Sequence, residues 1–321
     1  MDLVRDSEGD KTLLKAEKKV QKDKTSWIGS NQLLFLAMVL PGIVFLLVFS
    51  YTPMFGLLMA FQDYVPAKGV LGSDFVGLSH FRYLFTLPDI LQVTQNTIFI
   101  AFWKIFFNTI IPIVFAILLN EIRVKWLKKS IQTIVYLPHF LSWVILGSVV
   151  VSLFSLDGVL NQIFSNLGFA KLNFLGSNEL FPKLLIGTEV WKEFGYNSII
   201  YLAALTSIDP GLYEAATMDG ANWRRRVWHV TLPGMLPFIL LMTILSLPGI
   251  LNAGFDQVYN LYSPVVYESG DIIDTYVYRI GLIGRDYSLG TAVGLIKSII
   301  GLILILGSNK LAEKKTNRVM F

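Results

Sequence analysis

Six apolar runs, each at least 18 residues long, set the limits on this chain: Leu33–Phe61, Ile98–Leu119, Ile134–Leu156, Leu184–Ile208, Met235–Phe255 and Leu289–Leu306. About 20 apolar residues in helical geometry cross a hydrocarbon core of roughly 30 Å. Inside that core every backbone amide and carbonyl needs a partner within the protein, which a helix supplies and an irregular chain does not. The runs predict an all-α integral membrane protein with about six transmembrane helices. Composition agrees: 54% of the residues are hydrophobic, 16% are charged and the mean hydropathy is +0.57, whereas soluble domains carry about 25% charged residues. The first run contains Pro41-Gly42 and Pro53, so it is expected to be kinked, tilted or partly outside the membrane. It is too long, and starts too late, for a cleaved signal peptide. Pro112, Pro138 and Pro248 read as packing kinks, with gates as the alternative.

Lysine and arginine choose the orientation. With the N-terminus inside, cytoplasmic segments hold eighteen of the 27 basic residues: seven up to residue 30, four in Arg123–Lys129, three in Arg224–Arg226 and four from Lys310 onward. External loops hold six (Lys68, Arg82, Lys171, Lys183, Arg279, Arg285), and Lys104, Lys192 and Lys297 fall within spans. Such an excess on short loops places both termini in the cytoplasm. It also explains the pI near 9.0 without nucleic acid. The chain then reads as a basic cytoplasmic tail (1–30), a transmembrane domain (31–310) and a cytoplasmic C-terminal tail (311–321) in a plasma or inner membrane. The tail segment Lys11–Lys24, with Leu13, Leu14 and Val20 spaced through it, suits a solvated stretch near anionic headgroups. A partner-docking helix is the alternative.

Several chemistries are excluded. The chain has no cysteine, so disulfides, thiolate metal sites and cysteine nucleophiles are absent. His80, His139 and His229 lie at no metal-ligand spacing. Lys11, Lys24, Lys129, Lys297 and Lys315 precede Ser or Thr, but none follows a glycine. A phosphate-cradling G-x4-G-K-[ST] loop is therefore missing, and no ATP or metal site is expected on this chain.

The segment Ser207–Pro233 has a legible local structure. Asp209 is a good N-cap with Pro210 at the first helical position, where a missing N–H costs nothing. Gly220 suits a left-handed turn after a short helix. Asn222 can cap a second short helix, which Pro233 is expected to end. The result is a helix–turn–helix on the cytoplasmic surface exposing Tyr213, Glu214 and Met218 as a docking patch. Arg224–Arg226 reads as a headgroup anchor or a partner contact.

Glu214-Ala215-Ala216, three residues, Gly220, nine residues and Val230-Thr231-Leu232-Pro233 together resemble the EAA signature of binding-protein-dependent ABC importer permeases. The one departure is Val230 where isoleucine is usual. Phe75-Val76-Gly77-Leu78 with His80-Phe81, Asn96-Thr97, Phe255-Asp256-Gln257-Val258-Tyr259, Leu261-Tyr262 and Asp274-Thr275-Tyr276-Val277-Tyr278-Arg279 are similar to the carbohydrate branch, of the maltose-transporter permease type. The similarity spans roughly residues 33 to 310.

The resemblance implies that Tyr213, Glu214, Ala215, Ala216, Met218, Asp219, Gly220, Ala221, Leu232 and Pro233 form or support coupling helices docked on a separate ATPase. That partner would use ATP and Mg. Further implied partners are a second homologous permease, with a heterodimer favoured, two ATP-binding subunits and an extracytoplasmic solute-binding protein, besides membrane lipid. The expected activity is import of an oligosaccharide, with no catalysis by this chain. A self-contained secondary transporter is the rival reading. It would need its own coupling-ion site and usually more helices.

Ionisable groups inside a membrane need a partner or a watery cavity. Span two carries Lys104 and Asn108; span four carries Glu189, Trp191, Lys192, Glu193, Tyr196 and Asn197; span five ends in Asn252, Phe255, Asp256 and Gln257. Glu189 and Lys192, three apart, could pair along one helix face. These groups are expected either to line a sugar pathway, with aromatic faces to sugar rings, or to hold helices together. Lys104 and Lys192 in such a pathway would suit an acidic saccharide. Lys297 could snorkel or pair.

Overall fold

The structure, a computed structural model, describes the backbone of residues 30–316 and the side chains of 34–310. The Lys11–Lys24 segment lies outside the described residues. The chain divides between Leu58 and Met59 into two compact units. The described part of the first is α1, Ser30–Leu46, a π turn, Leu47–Tyr51, and the beginning, as far as Leu58, of the 3-10 stretch Thr52–Phe61. Pro41 lies inside α1 without ending it. Where the winding changes, the Leu47 carbonyl accepts from both the Thr52 amide and, at 3.0 Å, the Thr52 hydroxyl.

The second unit is built on two long helices, α2 (Pro88–Asn120) and α5 (Phe181–Thr206). Their apolar residues recur at three and four, the spacing that lays side chains along one helix face. Ile113, Ala116 and Ile117 of α2 pack with Tyr201, Ala204 and Leu205 of α5 and with Met235. Further along α2, Ile100 and Ala101 join Leu184, Leu185 and Val190 in a second cluster. Val93 and Leu84 meet Ile273, Tyr276, Leu289 and Val293 in a third. Further helices are α3 (Lys125–Tyr136), α4 (Trp143–Phe154), α6 (Pro210–Met218), α7 (Trp223–Arg226), α8 (Leu232–Ser246), α9 (Phe255–Leu261), α10 (Ile273–Val277) and α11 (Tyr287–Thr316); Ser79–Leu84, Val159–Asn166 and several short turns are also helical. The strands among the described residues form a two-residue antiparallel ribbon, β1 (Gln62–Asp63) against β2 (Asp74–Phe75).

Five helices among the described residues are long and apolar enough to cross a membrane: Leu34–Phe61, Pro88–Asn120, Trp143–Asn166, Trp223–Leu251 and Tyr287–Lys310. Helix α5, expected as the fourth span, is long enough at 26 residues but is not among them. Every 18-residue stretch of it contains Glu189, Lys192 and Glu193.

The expected third span, Ile134–Leu156, is not one helix. Helix α3 gives way to a 3-10 segment, Leu137–Phe140, with Pro138 in its first turn, and Leu141 is extended. Ser142 then caps α4 by accepting from the Ile145 amide at 3.4 Å. Proline lacks the N–H that would continue the hydrogen-bond ladder, so the apolar run breaks there. The expected stop at Pro233 also differs. Helix α7 continues through a π turn, Val227–Thr231, into α8, because the wide turn frees the carbonyl that a proline ring would otherwise meet.

Candidate functional site: a docking helix and an interhelical polar cleft

The segment after α5 folds as its residues dictate. Asp209 accepts from the Gly211 amide at 2.9 Å and starts α6 with Pro210 in the first turn. The far end closes as a Schellman motif: Ala221 N donates to Ala216 O at 2.9 Å and Gly220 N to Thr217 O at 3.0 Å. That geometry needs the left-handed φ of +73° found at Gly220. Asn222 accepts from the Arg225 amide at 3.0 Å and caps α7.

The face that α6 presents departs from expectation at one residue. Glu214, Ala215, Met218, Asp219 and Gly220 are exposed, Met218 at 88%. Tyr213 is not part of that patch. Its ring is half-buried against the Ile113–Tyr201–Met235 cluster, and its hydroxyl lies 3.1 Å from that of Thr231. Tyr213 and Ala216, three residues apart, are both half-buried and mark the inner face of this nine-residue helix. Ala216, Ala221 and Leu232 are half-buried, and Pro233 is exposed on the helix that continues.

A second feature lies between α2, α5 and the stretch 247–254. A cleft of about 560 Å³ is lined by Lys104, Asn108, Glu189, Asn197 and Asn252 together with Thr109, Tyr201, Ser246 and Gly249. Lys104 donates to the Ala253 carbonyl and to Gln257 Oε1, and its Nζ is 3.9 Å from Glu189 Oε2. Gln257 passes the network on, donating to Leu185 O and to Thr188 Oγ1, each at 2.8 Å. Gly254, at φ +91°, leaves the room this needs, since a Cβ there would sit 3.1 Å from Lys104 Nζ. Lys104 is thus occupied by internal acceptors. Glu189 Oε2 and Asn108 Oδ1, by contrast, are buried without a hydrogen-bond partner. The cleft offers acceptors and therefore suits a ligand rich in donors.

The remaining expected pathway residues lie elsewhere. Lys192 does not pair with Glu189. It donates to Glu193 Oε1 at 2.6 Å and to the His139 carbonyl at 3.1 Å, while Glu193 Oε2 meets His139 Nδ1 at 2.7 Å. The His139 ring stacks on Tyr196 with centroids 3.8 Å apart. This group clamps the break between α3 and α4 to α5. Trp191 lines a separate apolar pocket with Val150 and Phe154. Phe255 stacks on Tyr259 at 5.3 Å, and Asp256 is exposed, its carbonyl accepting from Asn260. Lys297 pairs with Asp274.

Sequence reasoning missed Tyr201 and Ser246 in the cleft and His139 in the clamp. Tyr201 lies four residues after Asn197, hence on its helix face, a signal the spacing did contain. His139 and Ser246 carried none, since they come from other parts of the chain. Among the described residues no group of three or more His, Asp or Glu could hold a metal ion.

Comparison with known proteins places this architecture. Residues 112–318 match the family described as binding-protein-dependent transport system inner membrane component. The polygalacturonan/rhamnogalacturonan transport system permease protein YteP of Bacillus subtilis (strain 168) is 46% identical over 280 residues, covering 86% of this chain and 87% of that protein. Protein LplB of the same organism is 40% identical over 300 residues, 92% and 94% of the two chains. A chain of the crystal structure of a bacterial alginate ABC transporter, in complex with an alginate pentasaccharide-bound periplasmic protein, superposes with a TM-score of 0.82 at 37% identity, covering 90% of this chain and 97% of that one. This chain is an integral membrane protein belonging to the family of inner membrane components of binding-protein-dependent transport systems.

Proposed function

We propose that this chain is one of two permease halves of an ATP-driven importer of oligosaccharides, driven through helix α6 by a separate ATPase. The observation that carries the proposal is the exposed face of Glu214 and Met218 on a capped helix that the Tyr213–Thr231 hydroxyl pair ties to the outgoing helix. A nine-residue helix held at both ends moves as one body, so force applied to its outer face reaches α8 and the α2–α5 core. Glu214, Ala215, Met218 and Asp219 form the contact surface, with the half-buried Ala216 keeping it close to the core. Gly220, Ala221, Leu232 and Pro233 set its geometry. ATP and Mg are used by the partner, which this chain's lack of a phosphate loop requires.

In this reading α5 is a sixth span, its charges placed against Lys104 and His139 rather than lipid. Both termini are cytoplasmic, flanking a membrane domain of residues 31–310, and a second, unlike permease completes the pore as a heterodimer. An extracytoplasmic binding protein delivers the sugar; the similar alginate transporter structure is a complex with an alginate pentasaccharide-bound periplasmic protein. The substrate class rests on two supports: a similar permease is named for polygalacturonan and rhamnogalacturonan transport, and the cleft around Asn108 and Glu189 presents acceptors to hydroxyl donors. Lys104 then serves to neutralise Glu189 rather than to grip a carboxylate.

The test is co-purification of the tagged chain from detergent-solubilised membranes, comparing wild type with Glu214→Lys and Gly220→Arg. An ATPase subunit and an unlike permease that come down with wild type, with the ATPase lost or uncoupled in both variants, support the reading. Normal transport by both variants without an associated ATPase overturns it.

A further inference from the structure

The arginines that follow Asn222 serve neither the docking face nor the cleft. Arg226 donates to Thr217 Oγ1 at 3.4 Å, whereas Arg224 is exposed and its guanidinium has no hydrogen bond or ion pair among the described residues, only its backbone carbonyl accepting from the Val227 amide. Arg224 stands at the rim of a groove of about 510 Å³ between the second half of α2 and the Trp223–Leu251 helix. Buried Ile113 and Ile117 form its floor, and Val114 and Leu118 rise beside it, 50% and 52% exposed. Trp223 and Trp228 line its mouth, 39% and 69% exposed.

Both flanking helices are long and apolar enough to cross a membrane. One ends at Asn120 and the other begins at Trp223, so the mouth lies at the membrane boundary, the level at which tryptophan rings settle. An apolar trough with an unpaired cation and two indoles at its opening has the polarity profile of a lipid molecule: chain below, anionic head above. Basic pockets between spanning helices are where anionic headgroups bind. A helix from another protein would fill the trough equally well but would bury Arg224 without a counter-charge, which is costly.

We propose that this groove holds an acyl chain of one anionic phospholipid, whose phosphate rests against Arg224. The lipid braces the turn that carries Arg226, and through Arg226 and Thr217 it steadies α6. The site goes beyond the importer reading and is tested without transport.

The assembled complex is delipidated, supplied with phosphatidylglycerol or phosphatidylcholine, and weighed by native mass spectrometry. Wild type is expected to retain one phosphatidylglycerol in preference to phosphatidylcholine. Arg224→Ala should weaken retention roughly five-fold, the effect of one basic residue near an anionic surface. Val114→Trp, which fills the trough, should abolish it, and Arg82→Ala should change nothing. Equal retention of the two lipids, unchanged retention in Arg224→Ala or Val114→Trp, or cross-linking that finds a helix of the partner permease in the groove would overturn the proposal.

Discussion

The hydroxyls of Tyr213 and Thr231 lie 3.1 Å apart across eighteen residues of sequence, joining the inner face of α6 to the π turn that begins the next long helix. The contact makes α6 part of the membrane core rather than an appendage. Tyr213→Phe keeps the ring in the Ile113–Tyr201–Met235 cluster and removes only the hydrogen bond. It should cost about 1 kcal/mol, read as a small fall in the melting temperature of the purified complex. Tyr213→Ala, which also empties the ring's site, should cost more and loosen the coupling of ATP turnover to transport.

Gly220 is left-handed at φ +73°, and nothing lies within 4 Å of where a Cβ would be. The penalty for Gly220→Ala is therefore purely conformational, about 1–2 kcal/mol. Gly220→Asn should be tolerated better, since asparagine accepts the left-handed region. Thermal unfolding of the two variants checks the order. Equal losses would mean that packing, not backbone conformation, selects glycine here.

Lys104 is held by Ala253, Gln257 and Glu189. Lys104→Met strands a buried carboxylate and a glutamine oxygen, and breaking such a buried pair costs about 3–5 kcal/mol. Adding Glu189→Gln should recover part of that loss. A melting series of the single and double variants reads the coupling directly.

A double-variant cycle at the clamp separates two pairings that the sequence allows. Lys192 and Glu193 should show a clear coupling energy in thermal unfolding, because their atoms meet at 2.6 Å. Lys192 and Glu189 should be close to additive.

Asn108 Oδ1 is a buried acceptor without a partner beside the cleft. Asn108→Leu should leave stability nearly unchanged, since no intramolecular hydrogen bond of that oxygen is lost. It should reduce saccharide uptake and saccharide-stimulated ATP turnover several-fold. Unchanged uptake would remove Asn108 from the pathway.

The elements set by local chemistry were legible in the sequence. Asp209, Pro210, Gly220 and Asn222 take the capping and turn roles their residue types dictate, and four of the expected spans fall on long apolar helices. What was not legible depended on neighbours. Nothing near Pro138 distinguishes a kink from the full break that the structure contains. Pro233 reads as a stop unless the preceding π turn is known. Glu189 and Lys192 share a face by spacing, yet Glu189 faces Lys104 of α2, while Lys192 pairs with its chain neighbour Glu193 and donates to the His139 carbonyl.

The most direct test of the central claim uses the absence of cysteine from this chain. A single cysteine at Met218, 88% exposed on the outer face of α6, is labelled with a photoreactive maleimide in assembled membranes. The account predicts efficient cross-linking to an ATP-binding subunit that varies through the nucleotide cycle, with no such product from a cysteine at Trp191. Absence of an ATPase adduct at position 218, or an equal yield from position 191, would contradict it.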